Sequence, residues 1–207
     1  MKRTVSLSLS LLLSITLIVF AFPMNASAAT ANYPGSNFSV TPGDVLYSHK
    51  GWDSGFVGHV AIVGDDRKIY HSTPANDVPS GATGESLSSY LSRFPASSKI
   101  EIYRYGPHGK FGPFQEPVKA GKWARLNYSK VQKYTIAGGY KMSDITKNYC
   151  SKFLWQAWKY GANVSIDRPY MGNYMKPDAT TLFAPAEINL SQNSNASIFT
   201  KIATVTK

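Results

Sequence analysis

Apolar and polar positions follow two rhythms along this chain. In the first half the rhythm is that of strands. "PGDVLYSH" gives turn residues followed by a β-rich run, and "KIEIYRY" alternates sides residue by residue. "SGFVGHVAIVGDDRKIYHST" predicts a hairpin: a strand over 56–63, a turn at Gly64-Asp65-Asp66 and a second strand over 67–72. "PANDVPSGATG" reads as a loop, "ESLSSYLSRF" as a short amphipathic helix, and "GPHGKFGPFQEP" as a Gly/Pro loop. Later the rhythm becomes helical. Pro117 opens a helix through about residue 131, where a missing N–H costs nothing in the first turn. A link, "QKYTIAGGYKMSDITKN", leads to a helix over 149–160, with apolar or small residues at 150, 153, 154, 157, 158 and 161 on one face and Gly161 as its stop. "SIFTKIATV" closes the chain as a strand. Strands first and a key helix later predict an α+β fold, one antiparallel sheet with helices packed on it.

The first 28 residues follow neither rhythm. Lys2 and Arg3 precede an apolar stretch from Val5 to Phe22, Pro23 breaks it, and Ala26-Ser27-Ala28 supplies small residues for cleavage. This is the layout of a secretory signal peptide; the competing reading is an uncleaved membrane anchor. Residues 29–40 are small and polar and read as a flexible leader. Residues 41–207 are expected to form one domain, in a protein that is secreted and associated with the cell wall.

Charge narrows the partners. The chain carries 22 basic and 12 acidic residues. Without the signal, 20 basic residues face 12 acidic ones, a net charge of +8. That surplus favours an anionic envelope polymer, with peripheral membrane contact as a second option. Scattered Lys and Arg, with no reading motif, argue against nucleic acid. A single cysteine excludes a disulfide scaffold and zinc sites built from several thiolates. No metal and no cofactor are expected.

The single cysteine, Cys150, falls at the predicted start of a helix, in "KNYCSKFLWQAWKYG". Unsatisfied N–H groups and the helix dipole there favour negative charge, which would lower the thiol pKa and supply a nucleophile. The bland alternative is a buried cysteine used as a small apolar residue. The hairpin supplies possible partners. If paired residue numbers sum to 130, His59 faces His71 at about 5 Å. A sum of 132 keeps both on one face, diagonally, and a sum of 131 separates them. A Cys with two histidines suits acyl transfer: one imidazole moves the thiol proton and a second polar group orients it.

"PGDVLYSH", "GHVAIV", "KIYHST" and "NYCSKFLWQAW", in that order, resemble the permuted papain-like cysteine hydrolases, the YiiX-like branch of the NlpC-type cell-wall peptidases and amidases. The resemblance runs from about residue 41 to 191. It implies a papain-like fold with the Cys at a helix N-terminus, Cys150 as nucleophile, His59 as base and His71 in the third position, where many YiiX-like sequences carry Glu. It also implies an oxyanion donor in the Cys150 N–H, with Tyr47 as a candidate second group. Asp44 is expected to stabilise the turn before its strand, and His49 and His108 to lie on the surface.

The expected activity is therefore cleavage of an amide, in peptidoglycan stem peptides, through a Cys-His-His triad and an acyl-enzyme. Three alternatives stand beside it. One is a lipid amide or ester hydrolase or acyltransferase on the same scaffold. Another is a non-catalytic wall-binding domain. The last is a metal or redox module using Cys150, His59 and His71, which lacks any short-spaced ligand pair.

Overall fold

Short β-branched and aromatic runs pair into one antiparallel sheet. The structure, a computed structural model, describes residues 31–49, 58–106, 111–136, 139–167, 174–188, 190 and 198–207. The signal read at 1–28, the first part of the 56–63 strand and His108 lie outside them. The strands are β1 (Val45–Ser48), β2 (His59–Val63), β3 (Ile69–Ser72), β4 (Ala82–Glu85), β5 (Lys99–Tyr105) and β8 (Phe199–Thr206), in the order β4-β3-β2-β1-β5-β8. β6 (Lys133–Tyr134) and β7 (Lys147–Asn148) make a small parallel pair. The helices are α1 (Leu87–Ser92), α2 (Gln115–Asn127) and α3 (Cys150–Gln156). This is the α+β architecture the sequence predicts. Among the described residues, no helix is long and apolar enough to cross a membrane.

Period-two alternation gives the sheet two apolar faces. Val45, Val60 and Ile62 belong to one core with Phe153 and Leu154 of α3. Leu46, Ala61 and Val63 belong to another with Tyr90 of α1 and Phe94. Trp155 and Trp158 are fully buried in the first core, where truncation to Ala would cost ~3–5 kcal/mol each.

Four local expectations change. In the hairpin, Ile62 pairs with Tyr70 and Val63 with Ile69, so partners sum to 132 and a longer turn replaces the three-residue one. Arg67 takes the left-handed conformation within it, φ 63°. The 82–85 stretch, read as loop and helix start, is strand β4, and helix α1 begins after Ser86, whose side chain accepts from Ser89 N. Gly84 reads as a loop residue, yet it is where the Tyr70 ring lies on the sheet. A Cβ there would meet Tyr70 Cε1 at 2.2 Å.

Helix α3 is not one-faced. Every residue from Cys150 to Gln156 is buried, and the helix runs on as a π-helical segment, Ala157–Ala162. Asn163, at φ 57°, ends it rather than Gly161. Gly161 instead permits close packing on α2, since a Cβ would lie 2.7 Å from the Lys119 carbonyl. The leader is also tied down where it is described. Tyr33 is 1% exposed and its hydroxyl donates to Asp44 Oδ2 at 2.9 Å. The compact unit runs Ala31–Lys207.

Candidate active site

His59 opens β2 because Gly58 lets the chain enter the strand closely. Gly58 has φ +70°, and a Cβ there would stand 2.8 Å from the Ser48 carbonyl. Alternation then puts His59 on the face covered by α1. His71, two residues beyond Ile69 in β3, shares that face. The two imidazoles meet edge-on, His59 Nε2 to His71 Nδ1 at 3.1 Å. They are 4% and 0% exposed, and Tyr90 and Phe94 pack around His59. The diagonal register thus brings both predicted histidines together.

Four further residues complete the group. His71 Nε2 lies 2.8 Å from Glu85 Oε1. Arg93 Nε donates to the same oxygen at 2.7 Å, and Ser89 Oγ donates to the other Glu85 oxygen at 2.6 Å. Arg93 also forms a two-pronged pair with Asp77, 2.9 Å on each arm. Sequence reasoning missed Glu85 because β4 reads as loop. Once β4 is paired to β3, with His71 opposite Thr83, alternation puts Glu85 on the His71 face.

Chemistry assigns the protons along this line. Hydrogen bonds from His71, Arg93 and Ser89 outweigh burial and hold the Glu85 carboxyl down at about 2, so it is ionised and only accepts. His71 Nε2 must therefore carry a hydrogen. Burial is the largest influence on His71 and lowers its pKa despite the carboxylate, so the ring is neutral and Nδ1 accepts. His59 Nε2 then donates to it. Burial, followed by the charges of His71 and Arg93, pushes His59 well below the usual histidine value. His59 is neutral, with its basic lone pair on Nδ1.

Cys150 reaches β2 from the α3 side. It lies in the α3-side core with Val60 and Ile62, close enough to the Val60 backbone N–H for that group to favour the thiolate. The sulfur thus approaches β2 from the α3 side near Val60, while the hydrogen-bonded His59–His71 pair packs on the α1 face. Burial pushes the Cys150 thiol up, and N–H groups of Val60, Ser151 and Cys150 itself pull it part of the way back. This corrects the expectation of a simply depressed thiol. The residue is 5% exposed, so desolvation outweighs the helix start. Such a thiol needs a base to take its proton.

The other named residues fall as follows. Tyr47 pairs with Val60 across β1 and β2, packs edge-on to His49 at 4.6 Å, and belongs to the rim of the α3-side core. Burial and the charge of Glu101 raise its phenol pKa. His49 lies on the surface, 3.3 Å from Glu101. Asp44 is structural: it accepts from Thr41 N at 3.1 Å and from Arg104 at 2.8 and 2.7 Å. Among the described residues, no group of three or more His, Cys, Asp or Glu side chains is arranged to hold a metal ion.

The crystal structure of metalloprotein yiiX from Escherichia coli O157:H7 is similar in architecture, with a TM-score of 0.50 at 12% identity over 81% of this chain and 98% of that one. At that identity the likeness carries the fold alone, and the fold is the YiiX-like, papain-like one. No curated protein matches the chain significantly. A family model described as lipoprotein N-acylation protein LnsA-like matches residues 4–176. Fold and family together point to an enzyme of the acyl-transfer or hydrolase type, and the chain belongs to the LnsA-like lipoprotein N-acylation family.

Proposed function

We propose that this protein transfers an acyl group from a lipid ester to an amine, as the family description suggests, with Cys150 as the covalent carrier. The observation that carries this reading is the ordered line Glu85–His71–His59, which ends in a neutral imidazole one residue before Val60, whose backbone N–H favours the Cys150 thiolate.

In this mechanism His59 Nδ1 takes the thiol proton as sulfur attacks the ester carbonyl. The new C–S bond forms a tetrahedral oxyanion, for which the Cys150 backbone N–H is one donor and Tyr47 a candidate second. The C–O bond then breaks, and the departing alcohol oxygen takes the proton from His59. An amine attacks the thioester, His59 accepts its proton, and the thiolate is released and reprotonated. His71 and Glu85 do not touch the acyl group. They hold the His59 tautomer and stabilise its cationic form. Hydrolysis of a peptidoglycan amide, the activity expected from the sequence, would use the same acyl-enzyme with water as acceptor. The apolar N-terminal stretch fits export, and the net positive charge fits work at an anionic envelope surface.

The test is to incubate the protein with a diacyl glycerolipid and a diacylglyceryl lipopeptide bearing a free N-terminal amine. Mass spectrometry should find the N-acylated lipopeptide with wild type and none with Cys150→Ala. Peptide release from purified peptidoglycan, with no N-acyl product, would replace this reading with the hydrolase one.

A further inference from the structure

A second group of polar side chains lies on the flank of α3 away from β2. A pocket there is lined by Lys152, Lys147, Thr135, Thr180 and Thr181, with Tyr140, Tyr149 and Leu182 completing its wall. Lys152 is 1% exposed and lines the pocket. The ammonium has three protons. Among the described residues it donates to a single acceptor, the Lys147 carbonyl, at 2.7 Å. The pocket lining contains no carboxylate. Asp144 is the acid whose charge reaches Lys152, but its Oδ1 accepts from Thr146 N and Oγ at 2.9 and 2.7 Å. Burial accordingly lowers Lys152 to about 8, the mark of a cation held without enough negative charge around it. Lys147 is steadied at the mouth by the Tyr140 ring, 4.3 Å from its nitrogen.

We infer that this pocket binds a phosphate group carried by the substrate. Two lysines and three threonines line one small space, which suits a ligand with several acceptor oxygens and more than one negative charge. The rim is apolar: Tyr140 and Leu182 are 37% and 44% exposed, and Ile136, next to Thr135, is 49% exposed. That rim suits the chain-bearing side of a lipid phosphate, although a free phosphate ester would satisfy the same lysines. Tyr149, the residue before Cys150, forms part of the wall. A phosphate held there would anchor the substrate one residue along the chain from Cys150. Its service to catalysis rests on the acyl-transfer reading above; binding itself does not.

Binding is therefore measured on the Cys150→Ala protein, which cannot turn over. Two probes are used: glycerol 3-phosphate by calorimetry, and vesicles of phosphatidylglycerol against phosphatidylcholine by co-sedimentation. Lys147→Gln and Thr181→Val change the pocket mouth, and Lys152→Met keeps the buried volume while removing the charge, with folding checked by circular dichroism. Binding of either probe that weakens about tenfold in Lys147→Gln, and at least as much in a folded Lys152→Met, supports the site; that is the size of one charge-assisted hydrogen bond lost. Glycerol 3-phosphate binding assigns a soluble phosphate ester, and binding to phosphatidylglycerol vesicles alone assigns a lipid headgroup. No binding of either probe, or binding indifferent to Lys147→Gln and Thr181→Val, overturns it. Lost binding with N-acylation intact would sink this site alone, and intact binding without N-acylation would sink the acyl-transfer reading alone.

Discussion

The two faces of the sheet bury polar groups for opposite purposes. Under α1 the groups form an open line from His59 through His71, Glu85 and Arg93 to Asp77, whose side chain is 65% exposed. Each member fixes the proton of the next, so the line sets the state of one imidazole. Under α3 the polar groups close on themselves. Asn148 Nδ2 donates to Gln156 Oε1 at 2.7 Å, Gln156 Nε2 donates to the Met142 carbonyl at 2.7 Å, and Ser151 Oγ donates to the Phe183 carbonyl. These bonds satisfy a helix that is buried on every side and hold Cys150 in place. One face tunes a base and the other positions a sulfur, and the two approach each other at the start of β2, where the Cys150 charge reaches Tyr90 beside both histidines. Changes on the two faces should therefore fail differently.

The largest expected effect is on the α1 face. His59→Gln should lower kcat about 10³-fold with the fold retained, because the proton acceptor is lost. A change under tenfold would mean that His59 is not the base. Glu85→Gln should lower kcat by about 10–10²-fold and leave KM nearly unchanged. The amide can donate as well as accept, so the His71 tautomer is no longer fixed. An unchanged kcat would reduce Glu85 to a structural partner of Arg93.

On the α3 face, Asn148→Ala should cost about 1–3 kcal/mol of stability by leaving the Gln156 Oε1 acceptor unpaired. It should lower the melting temperature without altering the pH profile of kcat. A shifted profile would show that the two faces are not separate.

The smallest effect is on acid stability. His59 and His71 bind protons less readily folded than unfolded, so their contribution is complete above about pH 6.5 and is lost as pH falls below it. Glu85, held at about 2 against an ordinary 4.5, contributes stability above pH 4.5 that is lost between 4.5 and about 2. Wild type should lose stability through both windows. Glu85→Gln should lack the second, and an identical acid profile for the two proteins would contradict the ionised Glu85.

How much of this was legible in the sequence differs between the faces. Period two placed His59 and His71 together in two registers, and the diagonal one is found. Glu85 was not legible, because Ala82–Glu85 carries the composition of a loop and becomes a strand only through tertiary pairing with β3. The chain pattern located α3 but misread its environment. Lys152, Ser151 and Gln156 look like a solvated face, and each is buried with a partner that lies elsewhere in the chain or in the preceding link. Helix-end electrostatics alone also misjudged Cys150, since burial, which a sequence does not display, dominates its thiol.

The most direct test of the covalent step is intact-protein mass spectrometry after brief mixing with a diacyl glycerolipid and no amine acceptor. Wild type should gain the mass of one acyl chain, carried by the peptide containing Cys150 and removed by neutral hydroxylamine as a thioester requires. His59→Gln should gain it far more slowly and Cys150→Ala not at all. An acyl group found on another residue, or N-acylation that proceeds undiminished in Cys150→Ala, would contradict the account.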